Sequence, residues 1–156
     1  MKRCTAVCLL LVLCLLGCSA ANGTQVTCKD LTLTLPDSYL DLSAEAYAED
    51  ADFLYGRGRL IVLGLGEKKT ELKTATLDGY TALVLKAHAL TCSPERTSNG
   101  YRFSYDAPVG DTVYTYVTAT YESPEHFWVI QCYCPATDLE TYTQEISAIL
   151  DSVHLS

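Results

Sequence analysis

The sequence predicts an α+β fold, a single compact domain in which an antiparallel β-sheet is flanked by helices. Three observations carry this expectation. Between residues 101 and 134, three stretches rich in tyrosine, threonine and other β-formers follow one another, separated by proline- and glycine-marked turns, as in a meander. The chain then closes on apolar residues spaced three and four apart, the period of a helix packed on one side. Leu31, Leu33 and Leu35, alternating with Thr32 and Thr34, open the domain as a strand with one buried face.

The elements can be taken in order. Met1, Lys2 and Arg3 form a positive end, and residues 4–16 are apolar apart from Thr5. This is the layout of a secretory signal, and the run is shorter than the roughly 20 residues that span a bilayer. Leu15-Leu16-Gly17-Cys18 resembles the bacterial lipobox. That resemblance implies diacylation of the Cys18 thiol and removal of residues 1–17 as a lipoprotein signal peptide. The covalent acyl lipid at Cys18 is the only non-protein group expected, with no further cofactor. Two acyl chains hold stably where one binds reversibly. Residues 18–25 are small and polar and read as a lipidated flexible tether, leaving 26–156 as the domain. The expected location is the cell membrane, lipid-anchored, facing outside the cytoplasm.

Loss of Lys2 and Arg3 leaves nine basic against nineteen acidic residues, a formal charge of −10. Such a domain is repelled by phosphate backbones and by anionic lipid. Nucleic acid is therefore excluded as a partner, and membrane binding falls to the lipid.

Pro36-Asp37-Ser38 ends the first strand. Residues 41–50 are acidic and alanine-rich, a short helix or an ordered loop. Phe53 to Leu65 reads as a strand pair, with Leu60 to Leu65 so uniformly apolar that burial on both faces is expected. Leu77, Tyr80, Val84 and Ala87 place a helix over 76–90. A loop, 92–100, leads into strands at 101–105, 113–121 and 127–134. Thr137 with Glu140 three residues on is a capping box for a final helix whose stripe is Leu139, Tyr142, Ile146, Ile149 and Leu150.

Two segments carry a family resemblance. The opening LTLTLPDSY and the closing FWVIQCYCPATDLETYTQEISAILDSVHL, with its Ile146-x-x-Ile149-x-x-Ser152 spacing, resemble the ends of PsbP-like and DcrB-like proteins. The resemblance implies a PsbP-like sandwich that binds or assembles rather than catalyses. No site residue carries over from it.

Candidate chemistry is sparse. Cys28, Cys92, Cys132 and Cys134 remain beside the lipidated Cys18, and an even set outside the cytoplasm permits two disulfides with three pairings. Cys132 and Cys134 share a strand face about 7 Å apart, at the edge of disulfide reach. Bridges from these two to Cys28 and Cys92, in either order, are the favoured arrangement, with buried free thiols as the alternative. A thiol redox or metal-handling role for Cys132 and Cys134 is the competing functional reading, with His126 as a third ligand. Against it stand the single-residue spacing, unlike that of zinc pairs, and the lack of a following helix N-terminus to lower a thiol pKa. Gly64-Leu65-Gly66 lacks a third glycine at Lys69. The acidic groups around Glu49, Asp50 and Asp52 read as a solvated face rather than a calcium site.

Tyr101, Tyr105, Tyr114 and Tyr116 lie on neighbouring predicted strands. They are the candidate binding face for an envelope protein, peptide or glycan ligand, since tyrosine offers a flat apolar ring with a polar tip. Core filling is the competing role for them. The function expected is thus a membrane-tethered, non-enzymatic binding or accessory module of the cell envelope.

Overall fold

The computed structural model describes residues 23–45 and 50–156. The expected signal segment, the expected lipidation residue Cys18, the first part of the expected tether and Glu49 lie outside the described residues. Among the described residues no helix is long and apolar enough to cross a membrane.

The architecture is α+β, two antiparallel sheets and two helices. The large sheet runs β3-β4-β5-β9-β8-β7-β6. Its strands are β3 (Leu40–Asp41), β4 (Phe53–Arg57), β5 (Leu60–Lys68), β6 (Glu95–Arg96), β7 (Gly100–Val109), β8 (Thr112–Glu122) and β9 (His126–Pro135). The small sheet has the order β1-β2-β10, built from β1 (Gly23–Cys28), β2 (Leu31–Pro36) and β10 (His154–Leu155). Strand β1 therefore takes up residues 23–25, which composition had placed in the tether. Gly23, Thr24 and Gln25 pair with Pro36, Leu35 and Thr34, so these three residues belong to the folded domain and not to a free tether.

The core lies between one face of the large sheet and a cover made of the small sheet and helix α2 (Leu139–Asp151). Register sets that face. Val62 stands opposite Cys132, Gly64 opposite Ile130 and Gly66 opposite Trp128, while Val117, Ala119 and Tyr121 continue the rows on β8. Leu31, Leu33 and Leu35 face them from β2, fully buried as their alternation requires. The two glycines are there because rings occupy the space their side chains would take. A Cβ on Gly64 would stand 2.1 Å from Phe53 Cζ, and one on Gly66 2.8 Å from the Trp128 ring.

Helix α2 buries Ile146, Ile149 and Leu150, with Leu139 and Tyr142 partly covered at its start. Its cap differs from the expected box. A turn of 3-10 helix, Ala136–Asp138, precedes it and Asp138 takes the N-cap position without a side-chain cap bond. The Thr137 hydroxyl instead donates to Asp138 Oδ1 at 2.9 Å, because the 3-10 turn displaces the helix start by a residue. At the other end, Ser152 Oγ accepts from the Thr34 N–H at 2.9 Å and donates to the Ile149 carbonyl at 2.7 Å. Strand β10 pairs only with Leu31 and Thr32, so this hydroxyl serves the next free amide along the edge of β2.

Helix α1 (Leu77–Ala87) lies on the opposite face, capped by Thr76, whose side chain accepts from the Gly79 N–H. Of the expected stripe only Tyr80 is buried; Leu77 and Val84 are half-buried and Ala87 exposed. Likewise β5 alternates between buried and half-buried residues rather than being covered on both faces. Both departures have one cause: α1 covers only part of this face.

Candidate functional site

The partly covered face carries the candidate site. Helix α1 is attached at its first half. Tyr80 stacks on Phe127 at 4.9 Å and 14° and donates its hydroxyl to Glu67 at 2.6 Å. Burial, and then this carboxylate partner, raise the Tyr80 phenol. Thr81 and Thr120 share a hydroxyl–hydroxyl bond of 2.7 Å, and Tyr101 donates to Asp78 at 2.7 Å. The second half of the helix presents Leu83, 41 % exposed, with Val84 and Ala87, over a cleft of about 440 Å³. Leu63, Leu65 and Val129 also line it, and Asp50, Glu67, Gln131 and His88 provide its polar groups. That size and character match pockets that hold small ligands or peptide side chains.

Register places all four predicted tyrosines on this same face. Tyr105 pairs with Tyr116 and Tyr116 with Tyr133, with Tyr114 two residues along β8 and Tyr101 opposite Thr120. They do not form one patch. Tyr105, Tyr116 and Tyr133 stack across three strands at 5.1 Å and 5.0 Å, and Tyr114 meets Tyr133 edge-on at 6.3 Å. Tyr101 is set apart, held by Asp78 and by Arg96, which donates to its hydroxyl at 2.8 Å. Gln131 joins the row to the cleft by donating to the Tyr105 hydroxyl at 2.9 Å, and the His88 ring lies 6.4 Å from Tyr105. The rings are stacked on one another, so their faces are occupied and a flat sugar-stacking surface is not formed. Sequence reasoning missed Tyr133. Its signal is the alternation Gln131-Cys132-Tyr133-Cys134, which puts Gln131 and Tyr133 on the face opposite the cysteines.

The cysteines do not pair. Cys28, Cys92, Cys132 and Cys134 are free thiols, which corrects the disulfide expectation; of the four, Cys132 and Cys134 are buried as the alternative has it, while Cys28 and Cys92 are half-buried. Cys132 packs in the core between Val62 and Val117, with Cys134 opposite Thr115. Cys28 stands at one border beside the Asp52 carbonyl, and Cys92 at another, in a hollow between β7 and α2. Burial pushes the Cys132 thiol up to about 12 and raises Cys134 too, away from the thiolate that redox or metal chemistry needs. Among the described residues no three His, Cys, Asp or Glu side chains gather as metal ligands. His126 in particular is committed elsewhere.

Its partner is Asp30, in the β1–β2 turn. Asp30 Oδ2 accepts from the Ser123 hydroxyl and from His126 Nδ1 at 2.9 Å, and Oδ1 accepts from Trp128 Nε1 at 2.9 Å. An ionised carboxylate has only acceptors, so Nδ1 must carry the proton. Serine, histidine and aspartate thus meet, but the hydroxyl is bonded to the carboxylate rather than to the imidazole, so the imidazole base of a serine triad is not in place. The cluster ties the β1–β2 turn to the β8–β9 turn. Burial would raise the Asp30 carboxyl, yet the bonds from Ser123, His126 and Trp128 outweigh it and hold the group at about 2.

The fold and the cleft define a class, an α+β sandwich of PsbP-like type with a pocket under its outer helix. No family model matches the chain and no curated protein matches its sequence. Solved structures do match. The solution structure of cyanobacterial PsbP (CyanoP) from Synechocystis sp. PCC 6803 has a TM-score of 0.50 at 10 % identity over 90 % of this chain and 96 % of its own. The Saccharomyces cerevisiae Ran-binding protein Mog1p gives 0.56 at 11 % identity, over 87 % and 96 %. A Bacteroides thetaiotaomicron VPI-5482 protein gives 0.55 at 11 % identity, with 81 % of this chain matching 45 % of that one. These likenesses establish the PsbP-like fold.

Proposed function

We propose that this chain is a membrane-tethered extracytoplasmic lipoprotein whose domain is a non-enzymatic binding module of the cell envelope. The observation that carries the binding role is the cleft under the second half of α1, apolar in its walls and furnished with a few polar groups. Five further aromatic or aliphatic side chains, Ile61, Val109, Tyr114, Tyr116 and Tyr133, border a second hollow. The anchor rests on the lipobox-like Leu15-Leu16-Gly17-Cys18. The raised thiols of Cys132 and Cys134 and the hydroxyl bonded to Asp30 speak against thiol and serine chemistry.

Two variants test the proposal. Cys18→Ala should abolish labelling by a clickable fatty acid and leave precursor uncut; undiminished labelling would remove the anchor. Ala87→Trp, placing a large ring into the cleft, should abolish the cellular effect of deleting and re-supplying the protein while leaving its circular dichroism unchanged. Full complementation by this variant would remove the cleft from the function.

A further inference from the structure

We infer that the cleft takes an extended apolar peptide segment of a partner protein, carrying a lysine or arginine where it passes Asp50 and Glu67. The inference rests on the cleft being the binding site and names what fills it.

Shape is the first argument. The cleft floor follows β5 and β9 from Leu65 and Val129 to Leu63 and Gln131. On the same face the next pair, Ile61 and Tyr133, borders a second hollow that also holds Tyr114 and Tyr116. From Leu65 to Ile61 is about 13 Å along a strand, a length that suits about four residues of extended chain better than a compact molecule.

Charge is the second. The two carboxylates of the cleft, Asp50 and Glu67, both lie at its Leu65 end, and no lysine or arginine lines it. Asp50 forms no ion pair among the described residues, and Glu67 accepts only from the neutral Tyr80 hydroxyl. Three cations of the domain are engaged elsewhere, Lys29 with Asp52, Lys69 with Glu122, and Arg59 at the far hollow with Asp138, and those adjoining the cleft in sequence, Lys68, Lys73 and Lys86, are not among its lining residues. An incoming ammonium or guanidinium therefore meets uncompensated negative charge at one end of an apolar groove. The acidic balance of the whole domain draws the same kind of partner.

The test uses the mature protein as processed by cells, in phosphatidylcholine nanodiscs, with empty nanodiscs as control. Four pools of acetylated, amidated pentapeptides are titrated by calorimetry. Each fixes Lys, Arg, Gln or Glu at the first position and draws the rest from Leu, Val, Ile and Phe. The Lys and Arg pools should bind about three- to fivefold more tightly than the Gln pool, the scale of one partly exposed ion pair, with the Glu pool weakest. Asp50→Asn should bring the Lys pool to within twofold of the Gln pool, and Ala87→Trp should remove all binding. Equal affinity of all four pools, still lost in Ala87→Trp, overturns the charge assignment and leaves the cleft as the site. Binding that survives Ala87→Trp overturns both readings. Displacement of the Lys pool by octylamine at equal concentration replaces the peptide with a simple amphiphilic amine, and failure of every pool to bind overturns the inference outright.

Discussion

Replacing Asp30 with asparagine removes the negative charge from the centre of a three-donor cluster and keeps its shape. The side chain is only 15 % exposed, and His126 beside it 7 %. A hydrogen bond to a charged group contributes about 1.5–3 kcal/mol. Asparagine retains one acceptor, so the net loss at neutral pH should be about 2–3 kcal/mol. A second magnitude comes from titration. The Asp30 carboxyl is lowered from 3.8 to about 2, at most about 2.4 kcal/mol of linkage, and solvent access to the carboxylate trims this to about 1–2 kcal/mol. Because the folded value lies below the unfolded one, this contribution is fully present above pH 4. It disappears as pH falls through 2. The stability gap between wild type and Asp30→Asn should therefore be constant from pH 6 to 4 and shrink by about 1–2 kcal/mol towards pH 2. Urea unfolding followed by the fluorescence of the single tryptophan, Trp128, measures that gap directly, since the indole is itself bonded to Asp30. A gap that stays constant down to pH 2, or a variant as stable as wild type at pH 6, would refute the reasoning.

Other expectations follow from the same structure. Ile149→Ala, at a fully buried position of α2, should cost about 2–5 kcal/mol, whereas Ser147→Ala should stay within about 0.5 kcal/mol; thermal unfolding that ranks them the other way contradicts the helix phase. Ser152→Ala should cost about 1–2 kcal/mol by leaving the Thr34 amide without its partner, visible as faster hydrogen exchange at Thr34. Iodoacetamide at pH 8 should modify Cys92 well before Cys132, whose thiol is buried and raised to about 12; early mass gain on the Cys132 peptide would show that the core opens there.

How much of this was legible depends on where the information sits. Leu31, Leu33 and Leu35 and the Ile146–Ile149–Leu150 stripe declared their faces because each element buries one side against a single partner, which leaves a clean period of two or three and a half. Strand β5 misled because its apolar run says nothing of how far α1 extends over it. Residues 23–25 misled for the opposite reason: Gly23, Thr24 and Gln25 are exposed members of an edge strand, and their pairing is dictated by β2 rather than by their own composition. Alternation alone puts the tyrosines of a strand on one face, but stacking across strands depends on register, and register is settled by the turns between them. The cysteine pairing could not be read because even parity permits disulfides without saying which faces of which strands the thiols occupy.

The glycines of β5 have a consequence beyond close packing. At Gly64 and Gly66 the strand contributes absence, and the volume is supplied by Phe53 from one neighbour and Trp128 from the other. A side chain added there would subtract room rather than remove contacts, so its damage would travel along the displaced ring. At Gly66 that ring belongs to Trp128, whose Nε1, on the edge nearest the glycine, holds Asp30. A methyl group on β5 would thus be felt as a loosened turn between β1 and β2, on the other sheet, and β1 would be the strand to come away.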